Sequence, residues 1–567
     1  MSGARPVSER VERFLDALEG TTRPEAWLHV RPREMLLGRA ADLDGADPQR
    51  QPLRGRLFAV KDNIDVGGCP TTAGCPAFRY VPETGARVVT RLEAAGALAV
   101  GKTHLDQFAT GLVGTRSPHG PCRNAHEPAF IAGGSSSGSA VVVALGLVEF
   151  ALGTDTAGSG RVPAALNGVV GMKPSRGLLS TRGVVPACPS LDCVSIFARD
   201  CAEAQRVFAV ARTEDATDPH SRAPRALARW PSPLRFALPP DDALAEVESE
   251  VQEGLREAER LLLAFGAKRV AVDWTPFREA SALLYEGPWL AERQLSFGDF
   301  VATHPEAVDP TVRAILAGAH AISGRDAFRG LHALAVLRRQ AERAFERLDV
   351  LVVPPVPRTL RIADVLGDPI ATNSALGAFN HFVNLLDLSA CVVPIAWLRC
   401  GVPTGVALCA PAFRDDDLLQ LGARIEAARG PWPEPPRGAE RVSLVVVGAH
   451  LSGMPLHGDL LALGARLERA LRTAPVYRLF ALPGARPLKP GLVRVGSGGF
   501  AIEAEVYSLA AAAFARFVDA IPAPLGIGRV ALEDGSAPAG FLCEAIGVEG
   551  AEDVSSFGGW GSYLSRG

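Results

Sequence analysis

The sequence predicts an α/β fold spread over more than one domain. Three observations carry this. Short apolar runs of strand length alternate with helically spaced segments through residue 397. Two Ser/Gly-rich loops bracket a run of small apolar residues at 132–164, AGGSSSGSAVVVALGLVEFALGTDTAGSGRVPA. A stiff Pro-rich stretch, Gly430-Pro431-Trp432-Pro433-Glu434-Pro435-Pro436-Arg437-Gly438, separates what precedes it from a further module. At 567 residues the chain is long for one domain. The expected division is 1–429, a linker at 430–440, and 441–567.

Composition narrows the class. Hydrophobic residues make up 47% and charged residues 21%, as in an ordinary globular protein. A net charge of −3 offers no electrostatic footing for nucleic acid or an anionic membrane. The ten cysteines are scattered without a C-x-x-C pair or a histidine cluster, so no metal site is expected. They read as reduced thiols of a cytoplasmic protein. The opening MSGARPVSERVERF has no apolar core, so no signal peptide is expected, and no uncharged run reaches transmembrane length.

Taken in order, residues 8–18 have helical spacing, with Ser8 placed as a cap. A strand over 56–60 ends at Lys61; a lysine there ordinarily swings out to solvent. A helix over 88–95 leads to a strand starting at Leu98. The turn Thr110-Gly111-Leu112-Val113-Gly114 lets backbone approach a ligand closely, since glycine lacks Cβ. Ala140 to Leu147 reads as a tightly packed helix and Val148 to Leu152 as a buried strand. Both Ser/Gly loops are thus presented from rigid elements, as an accurate site requires. Further helices are expected over 202–211, 242–267 and 331–348, and a strand at 349–353 that stops at prolines.

The motifs give the chemistry. The stretch 132–164, together with Val60-Lys61-Asp62-Asn63-Ile64-Asp65 and the Pro70-Thr71-Thr72-Ala73 that follows, resembles the amidase signature family of Ser–cis-Ser–Lys hydrolases. The resemblance implies a mixed β-sheet core covered by helices on both faces. It implies Ser159 as nucleophile, Ser135 as the bridging serine with Ser136 as the alternative, and Lys61 as base. An amide carbonyl is a poor electrophile, so an activated nucleophile and an oxyanion site are both needed. The backbone N–H groups of Thr156, Ala157, Gly158 and Ser159 are the candidate oxyanion donors. Lys61 must be neutral to accept a proton, which burial can achieve. His104 and Lys102 read as structural, because Lys61 already fills the base role. No cofactor is needed for this chemistry.

Leu283-Leu284-Tyr285-Glu286-Gly287-Pro288-Trp289-Leu290-Ala291-Glu292-Arg293 is similar to a segment of allophanate hydrolases, as are 106–118 and 156–164. That resemblance implies Thr110, Gly111, Tyr285 and Arg293 as substrate contacts. A guanidinium can grip a small carboxylate such as allophanate in two places. Arg161 lies two residues past the nucleophile and is either near the site or structural. Segments of 442–567, among them 448–456, 489–494, 502–507 and 521–528, resemble the C-terminal domain of the same family, an α+β module similar to the γ-glutamylcyclotransferase-type barrel. There the candidates are His450 as acid/base for loss of carbon dioxide, with Lys489 and Arg494 as carboxylate binders. The resemblance implies release of ammonia and carbon dioxide from allophanate, a homodimer, and association with a biotin-dependent urea carboxylase. Two rivals remain: an amidase for another small amide, including the glutaminase component of a tRNA-dependent amidotransferase, and a non-catalytic interaction scaffold.

Overall fold

A computed structural model describes residues 6–432, 441–484 and 487–566. It divides into two compact units, the first made of Met1–Leu398 and Val402–Glu434 and the second of the rest of the chain. Most of the expected linker, 433–440, lies outside the described residues. Its first part packs back on the first unit: Trp432 lies 5.4 Å from the Trp397 ring and under the Arg429 guanidinium.

The first unit is built on one mixed sheet. Its strands are β1 (Trp27–Val30), β2 (Leu57–Lys61), β3 (Leu98–Thr103), β4 (Phe150–Asp155), β5 (Val170–Lys173), β6 (Cys193–Ala198), β7 (Arg235–Ala237), β8 (Lys268–Arg269), β9 (Val350–Val353), β10 (Leu388–Trp397) and β11 (Pro403–Pro411). Their order is β1-β3-β2-β4-β6-β5-β10-β11-β9-β7-β8. Every residue of β2 to β6 and of β9 is buried. That explains why they read as continuous apolar runs: helices cover both faces. β2 is parallel to both β3 and β4. The carboxyl ends of β2 and β4 therefore lie side by side, the position at which open α/β sheets hold ligands.

Several boundaries differ from expectation for local reasons. The first helix, Val7–Glu19, is not capped by Ser8. Asp44 does this instead, accepting from Val7 N at 2.6 Å, Ser8 N at 3.1 Å and Ser8 Oγ at 2.8 Å. A side chain 37 positions downstream is invisible to a local capping rule. The central helix is Ser137–Ala144 and begins inside the serine run. Ser139 Oγ is engaged with Leu152 O (2.9 Å), so it does not compete with the helix backbone. β4 runs on through Asp155, paired with Cys193 of β6, so the second loop starts three residues later than its glycine suggested. The helix expected from 242 begins only at Ser249; Glu248 is turned away to accept from Thr359 N and Oγ1.

The second unit has a five-stranded sheet and a three-stranded sheet. β12 (Arg441–Val446), β13 (Arg466–Arg472), β14 (Tyr477–Ala481), β15 (Pro490–Arg494), β16 (Glu503–Ala510), β17 (Leu525–Arg529), β18 (Ala539–Cys543) and β19 (Glu552–Asp553) form the orders β13-β16-β12-β18-β17 and β15-β14-β19. Leu444, Val446, Tyr477, Leu479, Val506, Tyr507 and Trp560 make its core. Among the described residues no helix is long and apolar enough to cross a membrane.

Candidate active site

Lys61 closes β2 and is fully buried. Its Nζ donates to Ser135 Oγ and to Thr154 Oγ1, both at 2.7 Å. Thr154 belongs to β4, so the parallel pairing of β2 and β4 explains that second contact. Asn63 Nδ2 lies 3.4 Å from the same hydroxyl. Burial brings the Lys61 amine down to about 7, against the pull of Asp106, Asp155 and Asp192. The rule that a lysine ending a strand turns to solvent fails because neighbouring elements cover this strand end completely.

The Gly134–Ser135 peptide is cis. Gly134 sits where a Cβ would fall 2.1 Å from Asp106 Oδ2, so only glycine fits. Ser136 faces elsewhere: its Oγ donates to Thr154 O (3.0 Å). Of the two bridging alternatives, only Ser135 reaches the lysine. Ser159 is buried, and its Oγ donates to Gly111 O at 3.5 Å. Among the described residues no hydrogen bond joins Ser135 to Ser159.

The loop carrying Ser159 is held from inside by Asp155. Its carboxylate accepts from Gly158 N (2.9 Å) and Gly160 N (3.0 Å), and pairs twice with Arg161, at 2.9 Å from both Nε and Nη2. Arg161 in turn donates to Asn380 O and Asn384 Oδ1, each at 2.9 Å. Burial would raise the Asp155 carboxyl, but the Arg161 charge and hydrogen bonds carry it below the usual range. Arg161 is therefore a clamp, and the Gly158 N–H is already committed to Asp155, which removes it from the oxyanion candidates. Thr156, Ala157 and Ser159 remain as the loop's donors. The Thr156 hydroxyl donates to Asp192, whose other bonds come from Ala187 N and Cys188 N. Asp106, Asp155, Asp192, Thr154 and Asn380 were missed in the sequence; Thr154 and Asp155 lie within the 132–164 motif and Asp106 within 106–118, whereas Asp192 and Asn380 carried no signal.

Arg293 is buried, and its Nη1 donates to Thr110 Oγ1 at 2.6 Å. The Thr110-Gly111 turn thus joins Arg293 on one side to Ser159 on the other. Among the described residues Arg293 has no carboxylate partner. Tyr285 lies one helix earlier, across the Gly287-Pro288 break. It borders a cavity of about 560 Å³ with Trp274, Ser281, Phe379 and His381. Its ring meets that of His381 edge-on at 5.3 Å, and it makes no hydrogen bond to Arg293 among the described residues. Burial, then the charge of Arg161, holds His381 neutral, at about 3. His104 and Lys102 are engaged elsewhere, His104 with Ser137 and Gly120, and Lys102 with Asp62, Pro70 and Thr71.

In the second unit His450 stacks on Phe541 (5.3 Å, 12°) and meets Phe517 edge-on (5.2 Å, 76°). It lines a cavity of about 470 Å³ with Lys489, Asp459 and Arg516. Burial lowers His450 to about 4. Arg494 is not part of this group. It is the exposed last residue of β15, and five residues of extended chain carry it roughly 16 Å from Lys489. Arg516, on the helix Ala511–Asp519, lines the cavity instead. Among the described residues no group of three or more His, Cys, Asp or Glu is placed to hold a metal ion.

Residues 9–419 match the family described as amidase. The chain is a member of the amidase family. Residues 442–565 match the allophanate hydrolase C-terminal domain. The structure of this amidase resembles that of Kluyveromyces lactis allophanate hydrolase, 39% identical, with a TM-score of 0.71 over 100% of this chain and 97% of that one. Urea amidolyase of Saccharomyces cerevisiae is 41% identical over 98% of this chain and 32% of its own. The chain spans about a third of the length of the urea amidolyases it matches. One component of the glutamyl-tRNA(Gln) amidotransferase of Symbiobacterium thermophilum is 35% identical over 68% of this chain and 86% of its own. The enzyme class of this amidase is amidohydrolase.

Proposed function

We propose that this amidase hydrolyses allophanate through an acyl-enzyme on Ser159. The observation that carries the reading is the buried amine of Lys61, brought to about 7 and hydrogen-bonded to Ser135. Thr154 accepts one Lys61 N–H, which leaves the lone pair of the neutral amine for Ser135. Ser159 Oγ turns from Gly111 O toward Ser135, gives its proton to the Ser135 oxygen as Ser135 passes its own to Lys61, and attacks the terminal amide carbon. The N–H groups of Thr156, Ala157 and Ser159 receive the oxyanion. The proton returns along the same route to the departing nitrogen, which leaves as ammonia. Water then releases N-carboxycarbamate from Ser159.

Substrate choice rests on Arg293. Asp192 acts on the Arg293 charge, but among the described residues no carboxylate lies within ion-pair distance of this buried guanidinium, so a ligand anion would supply a direct partner. The carboxylate of allophanate fills that role between Arg293, Thr110 and Tyr285. In the second unit, the neutral His450 relays a solvent proton to the nitrogen of N-carboxycarbamate, one ring nitrogen taking up a proton as the other gives its own, while a C–N bond breaks, its electron pair goes to nitrogen, and carbon dioxide leaves. Lys489 holds the carboxylate that stays. The match of residues 442–565 favours this over the amidotransferase alternative. The likeness to urea amidolyases supports association with a biotin-dependent urea carboxylase in the cytoplasm. The exposed face of Phe328, Leu331 and Ala335 on the helix Gly324–Phe345 supports a homodimer. An ammonia assay on allophanate, biuret, malonamate and glutamine tests the reading. Allophanate is expected to be turned over fastest and glutamine not at all; a preference for glutamine would overturn it.

A further inference from the structure

The loop that carries His450 is fastened at its far end by a closed set of hydrogen bonds. Ser452 N and Oγ donate to Glu505 Oε2 at 2.8 and 3.1 Å. Tyr507 Oη donates to the same oxygen at 2.9 Å. Because the Tyr507 proton goes to Glu505, the 3.0 Å contact between Tyr507 Oη and His457 Nε2 has the imidazole as donor. His457 Nδ1 is then the acceptor, and Gly453 N lies 3.5 Å from it. Ser452 Oγ and Tyr507 Oη also lie 3.0 Å apart, so Ser452, Glu505, Tyr507 and His457 form one connected set. Glu505 and Tyr507 both stand on β16, inside the five-stranded sheet.

The near end of the loop is fixed differently. At Gly448 a Cβ would lie 2.3 Å from Pro490 Cγ, so the chain crosses β15 in contact with it. Between the two ends, His450 is gripped by Phe541 and Phe517. Ring stacking fixes the plane of an imidazole but leaves the loop free to slide along it. Backbone bonds from Leu451 N to Gly448 O and from Leu456 N to Ala449 O, both 2.9 Å, close the turn, and the side-chain bonds at Ser452 and His457 tie it to β16.

We propose that Ser452, His457, Glu505 and Tyr507 are positioning residues that hold His450 against its aromatic wall for loss of carbon dioxide. This rests on the reading of His450 given above. The four side chains act only through the loop, and a misplacement of about 1 Å in an acid/base group slows its step by up to roughly a hundredfold.

The test follows ammonia and carbon dioxide from allophanate in the same stopped-flow run, with the full chain. Tyr507→Phe and His457→Leu are expected to lengthen the delay between first ammonia and first carbon dioxide about tenfold or more, leaving the first ammonia release unchanged. His457→Gln keeps a donor for Tyr507 and is expected to restore most of the lost rate. In the same variants the His450 imidazole, followed by NMR titration, is expected to rise from about 4 toward the ordinary histidine range as the loop loosens. An unchanged delay and unchanged titration in Tyr507→Phe and His457→Leu, with a long delay in His450→Ala, would overturn the positioning role alone. An unchanged delay in His450→Ala would overturn both the role and the reading beneath it. Should a variant unfold, seen as loss of its near-UV signal, the His457→Gln and His457→Leu pair decides, since the two differ in the donor rather than in bulk.

Discussion

Lys61 and Arg293 are both buried cations, and the two burials have opposite consequences. A lysine amine titrates readily, so burial turns it into a base near neutrality. A guanidinium keeps its charge under all ordinary conditions, so burial makes an anion beside Arg293 favourable, and Asp192 already acts on that charge. Thr110 accepts from one of its N–H groups, and the Cys188 thiol lies against the guanidinium as well. Arg293→Lys keeps the charge but loses the planar fork. It is expected to lower kcat/KM for allophanate by about tenfold to a hundredfold, and to leave turnover of an uncharged amide nearly intact. Equal losses on both substrates would show that Arg293 acts through folding alone. The sequence made Lys61, Ser135 and Ser159 visible because a motif of fixed spacing contains them. Asp106 and Asp192 stayed hidden because they bind mainly backbone N–H groups of nearby turns, and Asn380 because its partner Arg161 is 219 positions away.

At the level of the element, the decisive piece is the turn from β4 into the loop at Ser159. A Gly-rich turn has many conformations, and this one is held by a single carboxylate. Asp155 binds two loop N–H groups and a buried arginine, with both members of the ion pair 0% exposed. Removing one partner leaves the other charged and buried. Asp155→Asn is therefore expected to destabilise the fold by about 3–5 kcal/mol and to abolish ammonia release. Asp155→Asn combined with Arg161→Met is expected to recover part of the stability without recovering activity. Urea unfolding alongside the ammonia assay measures both; a stable, active Asp155→Asn would refute the clamp. Periodicity located β2 and the helix Arg87–Ala94 to within a residue and the start of β3 at Leu98, although β3 runs three residues further than the expected Leu98–Val100. It misplaced the start of the central helix and the end of β4, where serine and glycine suggest a loop but tertiary hydrogen bonds and strand pairing decide otherwise. The Gly158 N–H could not be excluded as an oxyanion donor from sequence, since glycine composition says nothing of which N–H is already taken.

Across the whole molecule, two units carry two cavities and two sets of candidate residues. The first unit's architecture followed from its alternating pattern. What did not follow was the membership of the second unit's cavity. Arg494 looked close to Lys489 in sequence, but an extended strand separates them, whereas Arg516 comes in from a helix. In the proposed sequence of steps, loss of carbon dioxide follows release of ammonia, which requires an uncharged amine at position 61. The pH dependence of kcat/KM for ammonia release from allophanate tests this most directly. Lys61 must lose its proton to act, so activity is expected to climb with an apparent pKa near 7 and level off above it. A rate that stays flat from about pH 6 to 9, or one that falls through neutrality as pH rises, would contradict a neutral lysine base.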